Sequence, residues 1–100
     1  MTMTIEKTIN KSTAFFKIVG MLDTETAPEL EAVLDSALAG IDDLTLDFEA
    51  VEYVSSAGLR VILKAQKMMN AAGKMKIIHV NESIMEIFEI TGFTTILTIE

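Results

Sequence analysis

The sequence has no cysteine and no tryptophan, and it has one proline, one histidine and one tyrosine among 100 residues. Without cysteine there is neither a disulfide framework nor a thiolate nucleophile. A single histidine cannot form a cluster of imidazole ligands, so no metal site is expected. Cations are scarce as well: eight Lys and Arg stand against fifteen Asp and Glu, for a net charge of −7. That surface would repel a phosphate backbone, which makes nucleic acid a poor partner. The apolar residues are interrupted too often for a membrane span. The opening Met1-Thr2-Met3-Thr4-Ile5-Glu6-Lys7 lacks the basic-then-apolar order of a signal peptide. No GxxxxGK[ST] loop is present to cradle a nucleotide, and no cofactor is expected. These absences lead to the expectation of a cytoplasmic protein with no direct membrane insertion.

Half of the chain is apolar and 23% is charged, a composition that excludes a disordered tail. One hundred residues suffice for one core, so residues 1–100 are expected to form a single domain. Neither a Ser/Gly/Pro-rich linker nor an internal repeat divides it.

Residues 5–9 and 14–19 are β-prone runs separated by Asn10-Lys11-Ser12-Thr13, the composition of a hairpin turn. After Gly20, the segment Asp23-Thr24-Glu25-Thr26-Ala27-Pro28-Glu29 brings capping side chains, a first-turn proline and acids suited to the positive end of a helix dipole. Leu30, Val33, Leu34, Ala37 and Leu38 recur at helical spacing up to Gly40, which predicts about four turns. Residues 44–48 read as a strand with Leu44, Leu46 and Phe48 on one face, and residues 51–54 extend or leave it. Residues 58–72 form a long, broadly apolar helix, with Leu59, Ile62, Leu63, Gln66 and Met69 tracing one side until Gly73. A strand over 75–80 follows, then a helix opened by Asn81 or Ser83 and closed by Gly92, then a last strand over 95–99. The order β-β-α-β-α-β-α-β belongs to an α/β domain with a mixed β-sheet packed with α-helices, because strands separated by helices favour parallel pairing.

The most informative stretch runs from Leu46-Asp47 through Val54-Ser55-Ser56-Ala57-Gly58-Leu59-Arg60 and joins a strand to the buried helix. Ser55 or Ser56 can serve as a helix N-cap. Capping alone does not call for two serines followed by Ala-Gly.

This stretch, together with Gly20-Met21-Leu22-Asp23-Thr24-Glu25-Thr26-Ala27-Pro28-Glu29-Leu30 and with residues 87–93, resembles the sulfate-transporter and anti-sigma-factor-antagonist (STAS) domain family, and within it the bacterial anti-anti-sigma factors. The family motif is commonly Asp-Ser-Ser/Thr-Gly-Leu. Here Ser55 stands where the acid often lies, and Ala57 where a second hydroxyl often lies. The resemblance implies that Ser56, two positions before Gly58, is phosphorylated by an anti-sigma factor serine kinase, with Ser55 as the fallback acceptor. It implies a partner-switching cycle: the unmodified protein binds the kinase and frees a sigma factor, the phosphorylated form dissociates, and a serine phosphatase restores it. The chain would be a regulator, not an enzyme, and monomeric when free. Asp23, Thr24, Ser55, Ser56, Ala57, Gly58, Leu59 and Arg60 would form the partner interface, with Leu59 an apolar contact if it faces outward.

Each of these residues also has a plainer reading. Asp23, which the resemblance makes a polar contact to the kinase or to Ser56, reads more simply as a helix N-cap or first-turn acid, and Arg60, the only arginine, as a solvated cation. A serine hydrolase would need His79 and Asp47 beside Ser56, and it lacks the G-x-S-x-G elbow. Met68, Met69 and Met85 fall in helical apolar patterns and are expected to fill core gaps. The acids Glu25, Glu29, Glu31, Asp35, Asp42 and Asp43 are too dispersed for a calcium loop and read as a solvated face. The alternative function is a STAS interaction module of another signalling or transport assembly that is never phosphorylated.

Overall fold

The computed structural model describes residues 2–100. Strands β1 (Met3–Asn10) and β2 (Thr13–Leu22) form the predicted hairpin, joined by Lys11 and Ser12. Lys11 has φ 56°, the left-handed conformation that a tight hairpin turn demands. Helix α1 (Ala27–Ala37) then leads to β3 (Asp43–Val54), helix α2 (Ser56–Ala72) to β4 (Lys74–Ile78), and helix α3 (Glu82–Ile90) to a single 3-10 turn at Phe93–Thr95. The sheet order is β1-β2-β3-β4, with β1 antiparallel to β2, and β2, β3 and β4 mutually parallel. The expected α/β architecture with a mixed sheet is therefore present.

Alternation along the strands decides where the core lies. On β2, Ala14, Phe16 and Ile18 are fully buried, whereas Phe15, Lys17 and Val19 between them are partly open. Leu44, Leu46 and Phe48 on β3 are fully buried as well. With Leu30 and Leu34 of α1, Ile62, Ala65 and Met69 of α2, and Ile84 and Phe88 of α3, they make one continuous core. Burial of a side chain of this size stabilises the fold by about 1.5–3 kcal/mol.

One point that the sequence reading left open is decided, and three details depart from it. Residues 51–54 continue β3 without a break, past two register shifts against β2. Helix α1 has 11 residues, three turns and not four, because residues 23–26 are held in a hydrogen-bonded turn that keeps the helix from starting before Ala27. The last strand over 95–99 is reduced to one parallel bridge between Ile77 and Ile99, flanked by hydrogen bonds from Ile77 N to Thr98 O and from Glu100 N to Ile77 O, both 2.9 Å. Upstream of it, Gly92 at φ 79° turns the chain, and Phe93 stacks on Phe88 with centroids 6.4 Å apart, so those residues coil into the 3-10 turn. Of the three helical methionines, Met69 lies in the core, while Met68 and Met85 are only half-buried.

The two ends of the parallel strands differ. At their N-terminal end, Ser12 O accepts from the amides of Asp42 and Asp43, and Asp42 O accepts from Lys74 N, so three connections are laced together by backbone alone. At the C-terminal end the strands open into the starts of α1 and α2. Ligands and partners of open α/β sheets commonly gather at that edge.

Candidate functional site

Strand β3 ends at Val54, and Ser55 keeps an extended backbone with φ −87° and ψ 174°. Its amide donates to Leu22 O at 2.9 Å, its carbonyl accepts from Leu59 N at 2.9 Å, and its Oγ accepts from Gly58 N at 3.2 Å. Ser55 is thus the N-cap that a helix start needs, satisfying a backbone donor otherwise left free. Ser56, the first helical residue, is exposed, and its hydroxyl takes part in no hydrogen bond among the described residues. The two adjacent serines therefore do different things.

Gly58 is explained by close approach. A Cβ there would lie 2.8 Å from both Leu22 Cγ and Leu22 O, closer than real contacts allow. The absence of a side chain lets the first turn of α2 sit against the end of β2. Leu59 points inward and is only 9% exposed, so its expected role as an exposed apolar contact is corrected: inside the first turn it packs into the core. Ala57 is half-buried and Arg60 exposed, and Arg60 forms no ion pair among the described residues.

The neighbouring loop is built around Thr26, which is 2% exposed. Its Oγ1 donates to Met21 O at 2.7 Å and accepts from Asp23 N at 2.8 Å. Asp23 Oδ1 in turn accepts from Thr26 N at 3.0 Å and Glu25 N at 2.9 Å. The Thr26 amide above all holds the Asp23 carboxyl below its ordinary range, against some desolvation and with help from the Glu25 amide. Asp23 is thereby a clasp of the turn before α1, and the N-cap position itself belongs to Thr26. Among its hydrogen bonds none reaches Ser56.

Two shallow grooves meet at this end of the sheet. Asp23, Thr24, Glu25, Tyr53 and Ser55 line one. Thr24, Pro28, Glu31, Ala57, Arg60 and Lys64 border the other, between α1 and α2. The structure thus brings Asp23 and Thr24 to the same rim as Ser55, Ala57 and Arg60. It adds two residues that the sequence reading did not assign to the site. Tyr53, 45% exposed, is marked only by the strand alternation after Val51. Lys64 is held to Glu31 at 2.9 Å and Asp35 at 3.0 Å across the α1–α2 groove, and these acids raise its pKa. Part of the acidic face is therefore spent on a bridge between helices, although all three side chains stay wet.

The hydrolase arrangement does not exist. His79 Nδ1 does pair with Asp47 Oδ1 at 3.0 Å. Burial works to raise the Asp47 pKa, but the Glu49 amide, the His79 ring and the Lys17 charge together hold it below the ordinary value. Asp47, however, lies near the middle of β3, while Ser56 begins α2 beyond the strand's end at Val54. At about 3.3 Å per strand residue this separates the pair from Ser56 by on the order of 20 Å. Among the described residues, no group of three or more His, Asp or Glu side chains converges as a metal would require.

Comparison with known proteins agrees with the fold. The STAS domain profile matches residues 4–100. The anti-sigma-B factor antagonist of Staphylococcus aureus (strain NCTC 8325 / PS 47) is 34% identical over 99 residues, covering 97% of this chain and 92% of the relative. Among solved structures, an anti-sigma factor antagonist from Mycobacterium paratuberculosis superposes with a TM-score of 0.88 at 19% identity, covering 98% of this chain and 85% of the other. The Bacillus cell fate determinant SpoIIAA in its phosphorylated form superposes with a TM-score of 0.74 at 17% identity, covering 99% and 91%.

Proposed function

The chain belongs to the STAS domain family, its near-full-length curated relatives are anti-sigma factor antagonists, and from that premise we propose that it binds an anti-sigma factor with serine-kinase activity and is released when Ser56 is phosphorylated. The unmodified protein occupies the anti-sigma factor and so frees a sigma factor; a serine phosphatase resets the cycle in the cytoplasm. Residues 1–100 act as one STAS domain, and the interface comprises Asp23, Thr24, Ser55, Ser56, Ala57 and Arg60, with Gly58 and Leu59 setting the frame beneath.

One observation carries this reading: Ser55 performs the capping, which leaves Ser56 exposed, its hydroxyl without a partner among the described residues. A phosphoryl group adds about −1.5 to −2 charge, and at the first position of a helix the dipole tolerates it. The core is untouched, so only the surface seen by a partner changes. A partner that buries a neutral serine then meets a dianion, and a loss of about 2.8 kcal/mol weakens binding a hundredfold. That the Bacillus relative was solved in a phosphorylated form is consistent with this switch.

The test is purification from the source cell followed by intact mass and peptide mapping. Expected are one phosphoryl group at Ser56 in part of the population and a co-purifying ATPase on the unmodified part. Ser56→Ala should stay bound to that ATPase and Ser56→Asp should lose it. A chain that is unmodified under all growth conditions, and whose two variants bind alike, would overturn the switch.

A further inference from the structure

Helix α2 carries Arg60, Lys64 and Lys67 and no acid at all. The remaining five cations of the chain face all fifteen acids, a balance of −10, so α2 at +3 is a positive strip on a strongly negative molecule. The placement does not serve the helix itself. No cation stands in its last turn, where the dipole would favour one. Lys64 is answered by Glu31 and Asp35, whereas Arg60 and Lys67 are exposed and unpaired among the described residues. Between them, half-buried Leu63 and Met68 form an apolar floor, and Arg60, Leu63, Lys64, Lys67 and Met68 line one groove. Arg60 and Lys64 also border the α1–α2 groove with Glu31, Thr24 and Ala57, so the strip reaches Ala57 beside Ser56, and its free positive charge there is that of Arg60.

We propose that the outward face of α2, from Ala57 to Met68, is a dock for an acidic amphipathic helical segment of the anti-sigma factor, its carboxylates meeting Arg60 and Lys67 and its apolar side resting on Leu63 and Met68. This deepens the reading given above and rests on it. Charge complementarity selects the occupant: a basic segment would be repelled at the strip, and a second copy of this chain docking two-fold through the same face would bring the same cations against them. Regulation follows from spacing. Ser56 and Arg60 are four residues apart on one helix, neighbours on its surface. A phosphate of about −2 at Ser56 outweighs the charge of Arg60 one turn away, so the end of the strip nearest Ser56 loses its attraction for an acid.

The experiment has two arms. In the first, the ¹⁵N-labelled protein is titrated with a synthetic helical peptide bearing Glu and Leu at alternating helical faces, and with a twin in which Lys replaces Glu. The acidic peptide should shift the amides of Arg60, Leu63, Lys67 and Met68, and the basic twin should leave them still. The double variant Arg60→Glu, Lys67→Glu should weaken the acidic peptide at least about tenfold, and Arg60→Lys, Lys67→Arg should restore it. Equal response to both peptides, or shifts elsewhere on the surface, would overturn the dock. The second arm repeats the charge reversal with the anti-sigma ATPase. If Ser56→Asp abolishes that complex while the charge reversal leaves it intact, the dock is wrong and the proposed function stands. If neither change affects binding, the proposed function itself fails.

Discussion

The carbonyl oxygen of Leu22 lies 2.8 Å from the point where a side chain on Gly58 would begin. The same oxygen accepts the hydrogen bond of Ser55 N at 2.9 Å. The end of β2 and the start of α2 are thus in backbone contact, and the two serines are presented from a fixed platform. Gly58→Ala should destabilise the domain by about 1–3 kcal/mol, because the obstructing atoms are a backbone oxygen and a branching carbon that cannot swing away. Urea denaturation would measure it; an unchanged midpoint would mean that α2 can lift off β2 at no cost.

The two serines should separate in stability experiments. Ser55→Ala removes the acceptor for Gly58 N and is expected to cost about 1 kcal/mol. Ser56→Ala removes an exposed, unbonded hydroxyl and should stay within about 0.5 kcal/mol of the parent. Paired denaturation curves check this, and the reverse ranking would assign the cap to the wrong serine.

Thr26 offers a sharper probe of the loop. Its buried hydroxyl bridges Met21 O and Asp23 N. Thr26→Val keeps the shape and strands both groups, for an expected loss of about 1–3 kcal/mol, while Thr26→Ser should retain most of the stability. Thermal melts of the two variants side by side decide it.

Acid sensitivity should report on Asp47. Its folded pKa lies below the ordinary 3.8, so the native state holds its proton less tightly than the unfolded chain. The stability from this group is present above the unfolded value and is lost as pH falls through the folded one. Asp23, shifted in the same direction, adds to the same window. Denaturant midpoints measured across that range should fall with decreasing pH, and Asp47→Asn should flatten part of the slope. An unaltered slope in the variant would remove Asp47 from the account.

Most of the frame was legible because local signals and tertiary demand coincide. The hairpin turn, the alternation of β2 and the apolar stripe of α2 each state a period that the core then uses. The capping pair Ser55-Ser56 was legible as a pair, but the division of labour between them depends on the extended backbone at Ser55 and on Gly58 N, which are properties of the fold. Leu59 was ambiguous for a physical reason: it lies in the first turn of α2 beside exposed Arg60, where the apolar stripe and the partner rim meet, and the seat of that turn against β2 decides for the core. The terminal run Thr94-Thr95-Ile96-Leu97-Thr98-Ile99 has strand composition, yet stacking of Phe93 on Phe88 uses up the chain needed to align it, and a single bridge to Ile77 remains. The Asp47–His79 pair joins residues 32 positions apart, a meeting that only the β3–β4 register creates.

Most residues of helix α2 divide between two duties. Gly58, Leu59, Val61, Ile62, Ala65 and Met69 face inward and set the fold, while Ser56, Arg60 and Lys67 face outward. Substitutions on the outer set change the surface without opening a cavity or stranding a buried group, so they cost little stability. Duplicated copies of such a domain could therefore diverge in partner choice while sharing one scaffold, and a few exposed charges would suffice to insulate parallel signalling routes from cross-talk.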